Sequence, residues 1–163
     1  MAMEVQYRFA THDDIEPIRH LIIETLRVSS SMHYGKVGIR YDNHAKTIID
    51  DQIAKQTREC FEDLITNYAC ICAFINEQIV GVGCVTDKEL KRVFVLPQFQ
   101  GQHIGSAIVR QLMALHAERY PSNCLELYAT VDGKHMYERL GFSVFREFHD
   151  EATGDLYQMR LVH

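Results

Sequence analysis

The hydrophobic pattern changes period near Tyr68, and that change limits the fold more than any other feature of the chain. Between Ile15 and Ile65 apolar residues recur every three or four positions, as on one face of a helix. From Tyr68 onward they gather in short β-favouring runs, interrupted by one strongly helical segment after Pro97. A chain patterned in this way is neither all-helical nor all-strand.

In "THDDIEPIRHLIIETL", Ile15, Ile18, Ile22 and Leu26 share one helical face, and Thr11 with Asp14 forms a capping box at its start. The polar stretch 28–43, "VSSSMHYGKVGIRYDN", has no clear period and is expected as a long loop or broken segment. "HAKTIIDDQIAKQTRECFEDLI" predicts a second helical region broken near Gln56, burying Ile48, Ile49, Ile53, Phe61, Leu64 and Ile65. "YACICAFI" and "IVGVGCVT" predict a hairpin across "NEQ", and "LKRVFVL" a third strand closed by Pro97. The helix "IGSAIVRQLMALHAERY" carries Ile104, Ile108, Leu112 and Leu115 on one stripe and stops before Pro121. "CLELYAT" is a strand, and "DGKHMYERLG" a short helix with Asp132 as N-cap and Gly141 just past its end. "FSVFREF" and "LYQMRLV" close the chain as a hairpin. This order predicts an α/β or α+β domain with a mainly antiparallel sheet, in which the helix after Gly105 links two parallel neighbours.

With 163 residues, 47% of them hydrophobic, residues 1–163 are expected to form a single domain. The net charge of -5, with no lysine and arginine stripe, argues against a nucleic-acid partner and weakly favours cationic small molecules or peptides. Five cysteines without CxxC spacing, Cys60, Cys70, Cys72, Cys84 and Cys124, read as buried free thiols of a reducing compartment. Cys70 and Cys72 would share a strand face, but no second ligand pair completes a zinc site, so no metal is expected. No segment has the ~20 apolar residues of a membrane span, and "MAMEVQYRFATHDD" has no apolar leader core, so a cytoplasmic protein without membrane attachment is expected.

The most informative stretch is "VFVLPQFQGQHIGSAI". A strand that passes through a glycine-bearing loop into a helix leaves the first N–H groups of that helix unpaired, which suits a phosphate or pyrophosphate. Gly101 and Gly105 would allow close backbone approach and Ser106 adds a hydroxyl, though the same glycines also suit a plain strand-to-helix turn. The P-loop pattern fails on spacing and on the missing lysine, and the dinucleotide pattern fails because position 103 is His.

This stretch resembles the acyl-CoA-binding segment of the GNAT superfamily of N-acetyltransferases, whose strand ends V-x-P and is followed by Q/R-x-x-G-x-G/A. Gln100 matches the Q/R position and Gly105 the last one, while His103 stands in place of the middle glycine. "GKHMYERLGF", 133–142, resembles the family's A-x-x-F-Y-E-K-L-G-F segment, in the right order and separation. The resemblance implies a twisted, mainly antiparallel sheet of six to seven strands flanked by about four helices, with a splayed parallel strand pair. It also implies acetyl-CoA as cosubstrate. Main-chain groups of Val93, Phe94 and Val95 would pair with pantetheine, and the loop of Gln100, Gly101, Gln102, His103, Ile104, Gly105 and Ser106 would hold the pyrophosphate. Thr130, at the end of the strand across the wedge, joins the cofactor-binding set. The Val95 amide would donate to the thioester oxygen, and Tyr137 would protonate the leaving thiolate. The base is open between Glu89, Glu126 and a water chain, and either carboxylate also reads as a solvated strand-end charge.

The implied activity is transfer of an acetyl group to a primary amine of a small molecule, peptide or protein. The alternatives are a CoA-binding sensor or interaction module on the same fold, and an unrelated phosphate-ligand protein. A homodimer is common in the family. His33, Tyr34, Arg40 and Tyr41 fall in the family's variable region over the acceptor and could line that pocket, or lie on a surface loop. His135 lies beside Tyr137. His12, His20, His44, His116, His149 and His163 read as surface residues. His103 is expected to be tolerated, at little conformational cost if its φ is negative and with strain if the loop demands φ > 0.

Overall fold

The computed structural model describes residues 4–36, 43–150 and 154–161, with five α-helices and seven strands among them. Strand β1 (Gln6–Phe9) leads through a short 3-10 turn (His12–Asp14) into α1 (Ile15–Lys36). The expected capping box is present: the Asp14 carboxylate accepts the Thr11 N–H at 2.8 Å and also the Arg8 guanidinium at 2.7 Å. Helices α2 (Asn43–Ala54) and α3 (Arg58–Asn67) follow, broken at Gln56 as the sequence predicts. Thr57 caps α3 by accepting the Cys60 N–H.

The loop expected over 28–43 is corrected for its first part, because α1 runs on to Lys36. Serine costs only a fraction of a kcal/mol more than alanine in a helix, and no proline interrupts the run. The one strong stop signal, Gly35, stands one residue before the observed end. Positions 37–42, with Arg40 and Tyr41, lie outside the described residues, as do the side chains of His33 and Tyr34.

Strands β2 (Ala69–Ile75), β3 (Gln78–Val85) and β4 (Leu90–Val95) complete an antiparallel sheet in the order β1-β2-β3-β4. Asn76 and Glu77, at φ 49 and 66, make the two-residue turn between β2 and β3 with both central angles positive, which matches the twist of a tight hairpin. Helix α4 (Ile104–Arg119) crosses β3 on one face of this sheet, and α1 and α3 pack on it elsewhere. Contact between α4 and β3 is close because β3 has no side chain at Gly81 or Gly83. A Cβ built on Gly83 would lie 2.6 Å from Ile108 Cγ2 and 3.0 Å from Leu112 Cδ1.

After β5 (Glu126–Thr130) and α5 (Val131–Arg139), β6 (Phe142–Asp150) and β7 (Gly154–Leu161) form the closing hairpin, in a second sheet of order β5-β7-β6. Helix α5 starts earlier than expected, with Thr130 rather than Asp132 at its N-cap. Gly141 follows its end at φ 103, the left-handed conformation glycine accepts without a side-chain clash. His116 corrects another expectation: it is buried, 4% exposed, and its Nε2 lies 2.8 Å from the Asp87 carbonyl, so it fastens α4 to the β3–β4 turn. Of the cysteines, Cys70, Cys72 and Cys84 are buried as expected, whereas Cys124 is exposed. No described helix is long and apolar enough to cross a membrane.

Candidate active site

The two sheets meet at a vertex. Glu89 and Glu126 form a parallel bridge, and the Glu126 N–H donates to Lys88 O at 2.9 Å. Beyond that bridge β4 and β5 share no further pairing among the described residues, so the parallel neighbours expected from the sequence diverge into a wedge.

Which main-chain groups face the wedge follows from the β3 ladder. The Leu96 N–H donates to Val80 O at 2.9 Å, and Phe94 stands opposite Val82. Antiparallel alternation then turns the amide groups of Phe94 toward β3 and those of Val95 and Val93 away from it, toward the wedge. Gln100 supports this by donating its side-chain Nε2 to Val95 O at 2.9 Å. Phe94, expected to present main-chain groups to a ligand, has them committed to β3.

A bulge sits just upstream. The register slips between Val82 and Cys84, so that Arg92 and Val93 together oppose one β3 position, and Arg92 takes φ 54. A left-handed arginine costs about 1–2 kcal/mol, a strain that persists only where the surroundings fix it. Val93 faces α4, with its Cγ2 3.5 Å from a Cβ built on Gly83. Arg92 faces the opposite side, over the ring of Phe61 on α3 at 5.4 Å.

At the wide end of the wedge, β4 passes through a 3-10 turn (Pro97–Phe99) into the glycine loop and α4. Gly101 has φ 80 and His103 φ 65, ψ 15, so the loop does demand a left-handed residue at 103, and the negative φ that would have made His103 cheap is not what it has. Histidine is one of the side chains enriched in that conformation. His103 is also the N-cap of α4, and its carbonyl accepts the Ala107 N–H at 3.1 Å and the Ser106 hydroxyl at 3.0 Å. The amides of Ile104, Gly105 and Ser106 belong to the first helical turn, which has no intrahelical acceptors. A Cβ on Gly105 would stand 3.6 Å from Val95 Cγ2 and 3.7 Å from Met136 Sδ. The ends of β4, α4 and α5 therefore converge.

Tyr137 follows Met136 on α5 and is 8% exposed, with its ring edge-on to Phe142 at 5.9 Å. Burial pushes its phenol well above the usual tyrosine range, so it stays protonated. Glu89 lies at the vertex, where its own N–H and carbonyl are engaged with Thr86. Four residues of strand, about 13 Å, separate it from Val93. The Glu126 carboxylate accepts from Gln158 Nε2 at 3.4 Å. Thr130 closes β5 and is half-buried. His135 is exposed and lies 3.5 Å from Glu138, on the same side of α5 as that carboxylate. A separate depression of about 620 Å³, lined by Gln6, Tyr7, Arg8, Phe74 and Glu77, lies at the sheet edge farthest from the wedge. Among the described residues no group of three or more His, Cys, Asp or Glu is placed to hold a metal ion.

A family model described as "Acetyltransferase (GNAT) domain" matches residues 66–144, the span that holds the wedge, the loop and Tyr137. Residues 66–144 thus carry the likeness to a GNAT acetyltransferase domain. Solved structures of the same fold include a GCN5-related N-acetyltransferase from Rhodopseudomonas palustris, with TM-score 0.76, 13% identity, and coverage of 99% of this chain and 98% of that one. PaiA N-acetyltransferase from Thermoplasma acidophilum, in complex with coenzyme A, gives TM-score 0.75 and 17% identity over 99% of this chain and 100% of that one. YncA from Salmonella typhimurium, with acetyl-CoA, gives 0.66 and 18% over 96% and 92%. No curated protein matches the sequence. The match to the acetyltransferase domain supports acyl transfer as its chemistry, and the mixed α/β architecture expected from the sequence is the one observed.

Proposed function

We propose that the domain is an N-acetyltransferase that moves the acetyl group of acetyl-CoA directly to a primary amine. The observation that carries this reading is the wedge between β4 and β5, with unpaired main-chain groups along β4 and the first turn of α4 at its mouth. Pantetheine adds to the open edge of β4 as a further strand, and the amides of the 101–106 loop and of the first turn of α4 take the pyrophosphate. Gln100 fixes that loop to the end of β4. Thr130 flanks the arm from β5.

The oxyanion donor is better assigned to Val93 than to Val95. Val95 stands beside the start of α4, where the pyrophosphate sits, and the thioester lies at the far end of the pantetheine arm, deeper in the wedge. An N–H held there by the bulge meets the developing oxyanion without reorganisation. The amine attacks in its neutral form, and its proton leaves through water, since Glu89 is distant and Glu126 is tied to Gln158. Tyr137 gives its proton to the departing CoA thiolate; burial keeps the phenol protonated until that step and also makes it the weaker acid, so the transfer depends on the thiolate forming against the hydroxyl.

The protein is read as cytosolic, acting on a small molecule or peptide and not on nucleic acid or membrane, with a homodimer as the assembly to test. Thiol release from acetyl-CoA against polyamines, amino acids, aminoglycosides and lysine peptides tests the reading, with the CoA-induced rise in melting temperature measured alongside. Turnover with at least one amine class is expected. Binding of CoA without thiol release from any amine would favour the sensor instead.

A further inference from the structure

Arg92 is the one guanidinium that the described structure places immediately beside the proposed reaction centre. It precedes Val93 in the β4 bulge and faces the side of the sheet opposite α4. That position matters because CoA enters from the α4 side, which leaves the other mouth of the wedge, beside α1 and α3, for the acceptor. The side chain is half-buried and held on two sides. Its Nε donates to Gln56 Oε1 at 3.0 Å, and its Cζ lies 5.4 Å from the centre of the Phe61 ring.

Gln56 is itself fixed. It is 8% exposed, its Nε2 donates to Gln52 O at 3.1 Å, and its carbonyl accepts Arg19 Nε at 2.7 Å. The arginine is therefore aimed, and a positive φ is maintained to aim it. None of these partners carries a negative charge. Among the described residues Arg92 forms no ion pair, and the carboxylate of Glu16 is shared by Arg58 and by Arg19, whose Nε reaches Gln56. With Nε occupied by Gln56, no hydrogen bond among the described residues engages the two terminal nitrogens, whose planar fork matches the two oxygens of a carboxylate.

We propose that Arg92 selects the acceptor by binding a carboxylate on it, so that the substrate is an amino acid or a similar amine that carries an acid group. A simple cationic amine would meet like charge at this point, whereas an amino acid brings the missing counter-charge with it. The acidic net charge of the chain suggests cationic partners, but the local charge beside the reacting atoms is positive and decides against that. The inference rests on the acetyltransferase reading for its geometry, and its test separates the two.

Thiol release is measured with matched acceptors, lysine against cadaverine and β-alanine against ethylamine, for wild type, Arg92→Gln and Arg92→Lys. Binding of each acceptor to the CoA-loaded protein is measured by calorimetry. Wild type should favour the carboxylate-bearing member of each pair by about tenfold or more in kcat/KM, the equivalent of one charge-assisted pair. Arg92→Gln should lose that preference through KM while keeping its rate on the carboxyl-free amines, and Arg92→Lys should recover part of it. A retained CoA-induced rise in melting temperature shows that each variant is folded. Equal use of both members by wild type, or an equal loss on both in Arg92→Gln, overturns the proposal. Carboxylate-dependent binding that needs Arg92 but gives no turnover upholds the proposal and overturns the catalytic reading. Absence of both overturns both.

Discussion

Gln100 and Val95 are joined side chain to main chain, with Gln100 Nε2 donating to Val95 O at 2.9 Å. The bond ties the start of the 100–106 loop to the last residue of β4, so it couples the proposed pyrophosphate site to the strand edge proposed for pantetheine. One such hydrogen bond contributes about 1 kcal/mol, or about fivefold in affinity. Gln100→Ala should weaken CoA binding by that factor in calorimetry. Gln100 is exposed, so the melting temperature of the free protein should hardly change.

His103 takes φ 65 where glycine would be free of strain. His103→Gly removes about 1 kcal/mol of left-handed cost but loosens the unfolded chain by about 0.5–1 kcal/mol. The two nearly cancel, so the melting temperature should move by less than about 3 °C and CoA affinity by less than about threefold. His103→Val, β-branched at the same φ, should lower the melting temperature clearly. A much tighter CoA complex in His103→Gly would show that the wild-type loop resists its ligand.

Gly83 lies under α4, where an added methyl would meet Ile108 Cγ2 at 2.6 Å. Gly83→Ala should cost about 1–3 kcal/mol by overpacking, lowering the melting temperature by between about 2 and 12 °C. Ile108→Ala in the same chain should recover part of the loss. A double-mutant cycle with no coupling between the two positions would contradict the packing described.

These cases also show what the sequence can reveal. The element order, the Gln56 break, the Thr11 and Asp14 cap and the apolar faces of Ile15, Ile18, Ile22, Ile104, Ile108 and Leu112 were legible, because each depends on local spacing. The loop before α4 and the short helix of Tyr137 were legible in local pattern, while the roles proposed for them rest on likeness to a family. The extension of α1 to Lys36 was not, since serines and an isolated glycine weaken a helix without ending it. The glycines of β3 look like ordinary strand residues until α4 is seen lying on them. The bulge that turns Arg92 away from α4 leaves no trace in hydrophobic pattern, because its register is decided by pairing with β3. His116 looked like a surface residue because the carbonyl that anchors it belongs to a distant turn.

Tyr137 is the group on which the proposed chemistry turns. Its pKa is raised by burial, so its acid form persists across the working range, and kcat/KM should rise with pH toward the amine pKa of about 10. The sign for stability is set by the same shift. The folded state holds the phenol proton more tightly than the unfolded chain, so the stability linked to it is complete below about pH 10 and is lost as pH rises beyond that. Tyr137→Phe should abolish that alkaline loss.

The most direct measurement is the rate of thiol release at saturating acetyl-CoA and amine for wild type and Tyr137→Phe, with CoA affinity determined for both. The ring and its contact with Phe142 survive the substitution, so affinity should be unchanged while kcat falls by about a hundredfold or more. An unchanged rate in Tyr137→Phe, at unchanged CoA affinity, would contradict the assignment of this wedge and its tyrosine as the site of acetyl transfer.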